Sequence, residues 1–142
     1  GTGMIPVSIL VQDGGTDRWG VDRYGRMVGA SPAPSIAAGT GAGTSPTVSV
    51  ASQTDQAGVI SVTTGTTPSA SADVATITFS NAFATAPKAV ILTPANAATA
   101  ALSGNAAVFV DSANITTTTF KITVGSTNLT GSTAYKWFYL VL

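Results

Sequence analysis

Six aspartates are the only side-chain carboxylates in this sequence, and no Glu, His or Cys accompanies them. Residue types alone therefore exclude a Ser-His-Asp triad, an imidazole or thiolate zinc site and a cysteine nucleophile. Asp13, Asp17 and Asp22 are close enough in sequence to suggest hard-oxygen ligands for Ca²⁺. Their spacing does not fit a calcium loop, however, and Arg18, Arg23 and Arg26 alternate with them, so turn formation and local ion pairing are the expectation. Asp55, Asp73 and Asp111 are isolated, whereas hydrolysis by paired carboxylates needs two acids held ~5–9.5 Å apart. Gly39 to Gly43 is glycine-rich like a phosphate loop, but no Lys follows it and no strand-to-helix pattern surrounds it. Ser and Thr without a base are poor nucleophiles. The chain is expected to be non-enzymatic, with no cofactor and no metal. The remaining polar chemistry is sugar stacking, for which Trp19, Tyr24, Trp137 and Tyr139 are the candidate aromatics.

The 142 residues are 44% apolar and only 8% charged, against ~25% charged in an ordinary soluble chain. The 23 Thr, 14 Ser and 15 Gly must therefore supply the wet surface. Six Lys+Arg against six Asp give zero formal charge, which removes the long-range attraction to phosphate; no nucleic acid and no membrane surface is expected as a partner. The longest strongly apolar run, residues 137–142, is far short of the ~20 residues of a bilayer span. The opening Gly1-Thr2-Gly3-Met4 has no signal-peptide form, so secretion by that route is not expected.

Half of all the charges fall between Asp13 and Arg26, so the first part of the chain is chemically distinct. Residues 1–28 are read as an N-terminal attachment arm. In it Ile9, Leu10, Val11 and Trp19 would supply buried area, and Arg23 and Arg26 would fix register on carboxylates. The competing reading is a first β-hairpin of the same core. Residues 29–46, with three prolines and many small side chains, read as a linker.

From Thr47 onward, short β-prone runs recur between turn residues every eight to twelve positions, the pattern of an all-β sandwich or jelly-roll-like domain over 47–142. Strands are expected at roughly 47–51, 58–64, 73–80, 87–93, 106–111, 118–124 and 134–141. Alternation puts Ala75, Ile77 and Phe79 on one face, and likewise Phe120, Ile122 and Val124. A helical turn is expected over 93–102, with Thr93 as N-cap, Pro94 at N1 and Gly104 as the stop, and a surface loop is the competing reading. The last strand is apolar on both faces, with Tyr135, Trp137 and Tyr139 on one and Phe138, Leu140 and Leu142 on the other. Such a strand is either central between two layers or covered on its second side by another subunit. Tyr135, Trp137 and Phe138 are the candidate residues for that contact.

The phrases Gly58-Val-Ile-Ser-Val-Thr-Thr-Gly-Thr-Thr-Pro68, Ala75-Thr-Ile-Thr-Phe79, Ala86-Pro-Lys-Ala-Val-Ile-Leu-Thr-Pro94 and Thr133-Ala-Tyr-Lys-Trp137 resemble β-rich domains of tailed-bacteriophage virion proteins. Head fibres, capsid decoration proteins and tail fibres are among these. Val21-Asp-Arg-Tyr-Gly-Arg-Met-Val28 is similar to a phrase near the start of some phage structural proteins, where it leads into an extended attachment region. The resemblance implies a homotrimer on the outer surface of a virion, attached by its N-terminal part to the phage capsid or other virion proteins. It carries no active site. A tail-fibre or adhesin tip that recognises a host-surface glycan is the alternative.

Overall fold

The structure, a computed structural model, describes residues 9–13, 16–21, 24, 27–29, 32–51 and 53–142. It is an all-β fold built on two four-stranded antiparallel sheets. Three N-terminal strands, β1 (Ile9–Asp13), β2 (Thr16–Val21) and β3 (Met27–Gly29), form a separate antiparallel sheet in the order β1-β2-β3. The remaining strands are β4 (Ser35–Ala38), β5 (Thr47–Ala51), β6 (Ala57–Thr63), β7 (Asp73–Thr78), β8 (Val90–Pro94), β9 (Val108–Val110), β10 (Thr119–Val124) and β11 (Ala134–Val141). They pair as β4-β7-β10-β9 and β5-β6-β11-β8, and the two sheets enclose one apolar core.

Period-two alternation builds the core, because successive strand side chains point to opposite faces. In β11 Tyr135, Trp137, Tyr139 and Val141 are buried while the residues between them are exposed. In β10 Phe120, Ile122 and Val124 are fully buried and face Ile60, Val62 and the β11 aromatics across the sandwich. Phe120 and Tyr139 approach with ring centroids 5.7 Å apart. The expected inward set Ala75, Ile77 and Phe79 is buried as read. Strand β7 nevertheless breaks strict alternation, since Val74 and Ala75 are both buried. The register against β10 shifts between Ile122 and Thr123, so Asp73 pairs with Thr123 and Val74 is the extra residue of a β-bulge. Without that bulge Asp73 would share the inward parity of Ala75 and Ile77.

The stretch read as a linker over 29–46 is in large part sandwich. Ser35–Ala38 form edge strand β4, pairing with β7 from Ser35↔Thr78 to Ala38↔Ala75, and Ile36 packs on the core. A 3-10 turn at Thr40–Ala42 follows, with Gly41 and Ala42 buried. This turn carries the chain from the edge of one sheet to the edge of the other, where β5 begins. Small residues are required there for a packing reason that composition alone reads as flexibility. A Cβ on Gly65 would sit 1.7 Å from the Thr44 carbonyl oxygen, and Gly43 has a φ of 86°. The crossing is closed by the bridge Thr44↔Thr66 and by the Gly65 N–H donating to the Ala42 carbonyl at 2.9 Å.

The expected helical turn exists but is shorter and begins later, as α1 (Ala97–Ala100). Asn96, not Thr93, is its N-cap and accepts from the Thr99 N–H at 3.0 Å, while Pro94 remains the last residue of β8. Pairing of Pro94 with Trp137 in β11 wins over its preference for a first helical position.

Candidate functional site

Three of the six aspartates, Asp55, Asp73 and Asp111, are each engaged by their own neighbourhood. Asp55 is 3% exposed and accepts from the Ser80 N–H at 2.7 Å, the Ser80 hydroxyl at 2.6 Å and the Asn81 N–H at 3.0 Å. The Ser80 hydroxyl also lies 3.1 Å from the Pro32 carbonyl oxygen. The carboxylate thus ties the approach to β6 to the segment after β7. Asp73, delivered to the outer face by the bulge, accepts from Lys121 Nζ at 2.8 Å and from the Thr123 hydroxyl at 3.1 Å. Asp111 caps the 3-10 turn Ser112–Asn114 through the Ala113 N–H. No group of three metal-ligating side chains forms among the described residues. The calcium candidates Asp13 and Asp17 fall on β1 and β2, whose side chains lie outside the described residues, and Asp22 lies outside them entirely.

The chemistry left to the molecule is that of its surfaces. The two outer sheet faces differ sharply. On the β4-β7-β10-β9 face, register aligns Ser35, Thr78 and Thr119 in one row, Ala37, Thr76 and Lys121 in the next, and Asp73, Thr123 and Phe109 in the third. Hydroxyls and a closed ion pair make this face compatible with water. On the β5-β6-β11-β8 face, Phe138 pairs with Val59 and Thr93, and Leu140 pairs with Ala57 and Ile91. Phe138 is 54% exposed, Ile91 48%, Leu140 43% and Leu142 60%. Scattered exposed apolar residues are ordinary, but four large ones gathered on one end of one sheet make this the more apolar of the two outer faces.

A small cleft of about 80 Å³ lies between β8, α1 and β9, floored by Trp137 and walled by Leu92, Leu102 and Val108. Its one polar wall group, Thr99, already accepts the Lys136 N–H at 2.8 Å. At roughly half the volume of a cavity that holds benzene (~150 Å³), it is too small for a sugar ring.

The candidates from sequence separate as follows. Ile9, Leu10, Val11 and Trp19 fall on the paired strands β1 and β2, with Val11 opposite Trp19; their side chains, and Arg23 and Arg26 altogether, lie outside the described residues. Of the three residues expected at a subunit contact, only Phe138 reaches the surface. Tyr135 and Trp137 are 3% and 2% exposed and stack within the core with centroids 6.0 Å apart. Trp137 and Tyr139 are likewise closed to a stacked sugar, while Tyr24 is exposed. Sequence reasoning passed over Phe109, on the Asp73–Thr123 row, and Ile91, on the apolar face. The odd parity of Ile91 against Val90 and Leu92 was the available signal, but it required knowing which face is core.

No protein-family model matches the chain, and comparison with curated proteins and with solved structures finds no match either.

Proposed function

We propose that this chain is a non-enzymatic structural protein of a tailed-phage virion, a capsid decoration or head-fibre protein on the outer surface. It would assemble as a homotrimer and attach to the shell through residues 1–28. The observation that carries the reading is the apolar outer face of β11 and β8, because a chain whose described carboxylates are all consumed by local hydrogen bonds invests instead in a surface made to be covered. The sparse charge agrees with it: a protein held on a particle by many repeated contacts gains little from individually weak surface ion pairs. Quantitative mass spectrometry of purified particles of the encoding phage tests the proposal. Copy numbers comparable to the major shell protein are expected for decoration; absence from the particle would overturn it.

One observation favours the second reading, a tail-fibre or adhesin tip that recognises a host-surface glycan. Phe109 is 45% exposed and pairs with Thr123, whose hydroxyl donates to Asp73 beside Lys121, so an open ring stands next to an array of hydroxyl, carboxylate and ammonium. Saturation-transfer NMR against a panel of common hexoses and N-acetylhexosamines tests it. Transfer lost in Phe109→Ala and kept in Phe138→Ser supports this reading, and no transfer from any sugar removes it.

A further inference from the structure

The two ends of the sandwich differ in what they expose. Strand direction and register gather the connections 39–46, 64–72, 95–107 and 125–133 at one end, and 53–56, 79–89 and 111–118 at the other. The second end also holds the entry of β4, where the Ser80 hydroxyl donates to the Pro32 carbonyl, and the last residue, Leu142, which is bonded to Ala89. Asp55, Lys88 and Asp111 all lie there, with the exposed side chains of Ile91, Leu140 and Leu142 on the adjoining rows of β8 and β11. The connections of the first end contain no Asp, Lys or Arg and no exposed large apolar side chain. What they expose is Ser, Thr, Asn and backbone.

Backbone conformation divides the ends in the same way. Every described residue with a positive φ lies at the first end: Gly43 and Gly104, but also Ser45 (54°), Thr67 (53°), Ser71 (49°) and Ser132 (52°). In this left-handed region a Cβ is unfavourable and glycine is the free choice. Chain reversal alone does not demand it, because the segment 79–89 also crosses between sheets and has no positive φ. All four Ser and Thr side chains are exposed, and the Ser45, Ser71 and Ser132 hydroxyls bond to none of the described residues, so they do not hold these turns together. Residues kept against backbone preference gather at sites of binding. We infer that this end of the sandwich is a recognition surface for a neutral glycan. A protein partner needs large apolar or aromatic anchors and an anionic polymer needs cations, and this end offers neither. Hydroxyls and amides, which both donate and accept, match the hydroxyls of an uncharged sugar. Without an aromatic platform each contact is weak and gains from repetition on a particle. The inference rests on the glycan-recognising reading for its ligand class and sets the contact at this end rather than at Phe109.

The test is saturation-transfer NMR on the full chain with neutral hexoses and N-acetylhexosamines. It compares the parent with Phe109→Ala, with a triple variant carrying Ser45→Gly, Ser71→Gly and Ser132→Gly, and with Asn128→Ala. Transfer is expected to persist in Phe109→Ala, to be lost in the triple variant and to be indifferent to salt, since no charge takes part. Glycine relieves the left-handed backbone, so the triple variant is expected to melt at the parent's temperature or above it, and lost transfer is then not a consequence of unfolding. Asn128, exposed in the 125–133 connection and outside the positive-φ set, is expected to weaken transfer when replaced by Ala. Transfer kept in the triple variant overturns this site, and its loss in Phe109→Ala leaves the glycan reading standing at Phe109. Transfer abolished by salt overturns the site as well. Should the triple variant melt below the parent, Asn128→Ala decides, weakened transfer supporting the site and unchanged transfer overturning it. No transfer from any sugar overturns both the site and the glycan reading.

Discussion

Asp55 and Tyr139 show how single residues hold this sandwich together. The Asp55 carboxylate satisfies two backbone N–H groups and a hydroxyl from Ser80 and Asn81, so replacing it leaves buried donors without acceptors. Asp55→Ala is expected to cost about 3 kcal/mol in urea unfolding, since hydrogen bonds to a charged group are worth more than neutral ones and orphaned donors add a penalty. Tyr139 donates its phenolic proton to the Thr54 carbonyl at 2.5 Å, beside the same carboxylate. Burial, and then the negative charge of Asp55, push its pKa well above the ordinary tyrosine value. The fold therefore favours the protonated phenol. Its contribution is complete below the unfolded pKa of about 10 and is lost as pH rises beyond it. Unfolding midpoints measured from pH 8 upward are expected to fall above about pH 10. Tyr139→Phe should lower stability by about 1 kcal/mol at neutral pH and flatten that alkaline decline. An equally steep decline in the variant would assign it to other groups.

At the scale of elements, β11 organises the sandwich because it is central in its sheet and carries the largest core side chains. Trp137→Ala removes a ring that packs on Tyr135 and floors the cleft beside Leu92 and Val108. A loss of about 3–5 kcal/mol is expected by chemical denaturation, as for other buried aromatics. Phe138→Ser, one residue along, changes only the outer face and should leave the unfolding free energy within about 0.5 kcal/mol of the parent. The crossing between sheets makes a sharper demand on a residue with no side chain at all. Gly65→Ala would drive a methyl group into the Thr44 carbonyl, and a backbone atom cannot swing aside as a flexible side-chain tip can. A loss of about 2 kcal/mol or more is expected, with weakened amide protection at Thr44 and Thr66 in hydrogen exchange. A neutral Gly65→Ala would mean that the crossing is looser than its hydrogen bonds indicate.

At the scale of the molecule, the core cluster among the described residues runs from Ile36 onward, and the described strands β1, β2 and β3 pair with one another in a sheet separate from the sandwich. Removal of residues 1–31 is therefore expected to leave a cooperatively folded sandwich whose melting temperature stays within a few degrees of the full chain. Removal of residues 1–46 is expected to unfold it, because β4 and the buried Gly41–Ala42 turn go with it. The two truncations together separate an N-terminal appendage from a first hairpin of the core. Loss of folding in the shorter truncation would establish the hairpin.

Composition and alternation carried the class of this fold and most of its strands. The strands over 47–51 and 134–141 lie where the pattern of apolar and polar residues places them, and the inward sets on β7 and β10 follow from a period of two. Residue types alone also excluded histidine and cysteine chemistry. Three features required the tertiary structure. Ser35–Ala38 became a strand because β7 offered a free edge, a long-range pairing that small residues neither demand nor forbid. Asp73 reached the surface through a bulge set by its partner strand, although local parity points it inward. The two apolar faces of β11 were told apart only by which of them meets the other sheet. Burial is a property of what lies opposite a residue, and a single strand's sequence says which side chains share a face without saying what that face will touch.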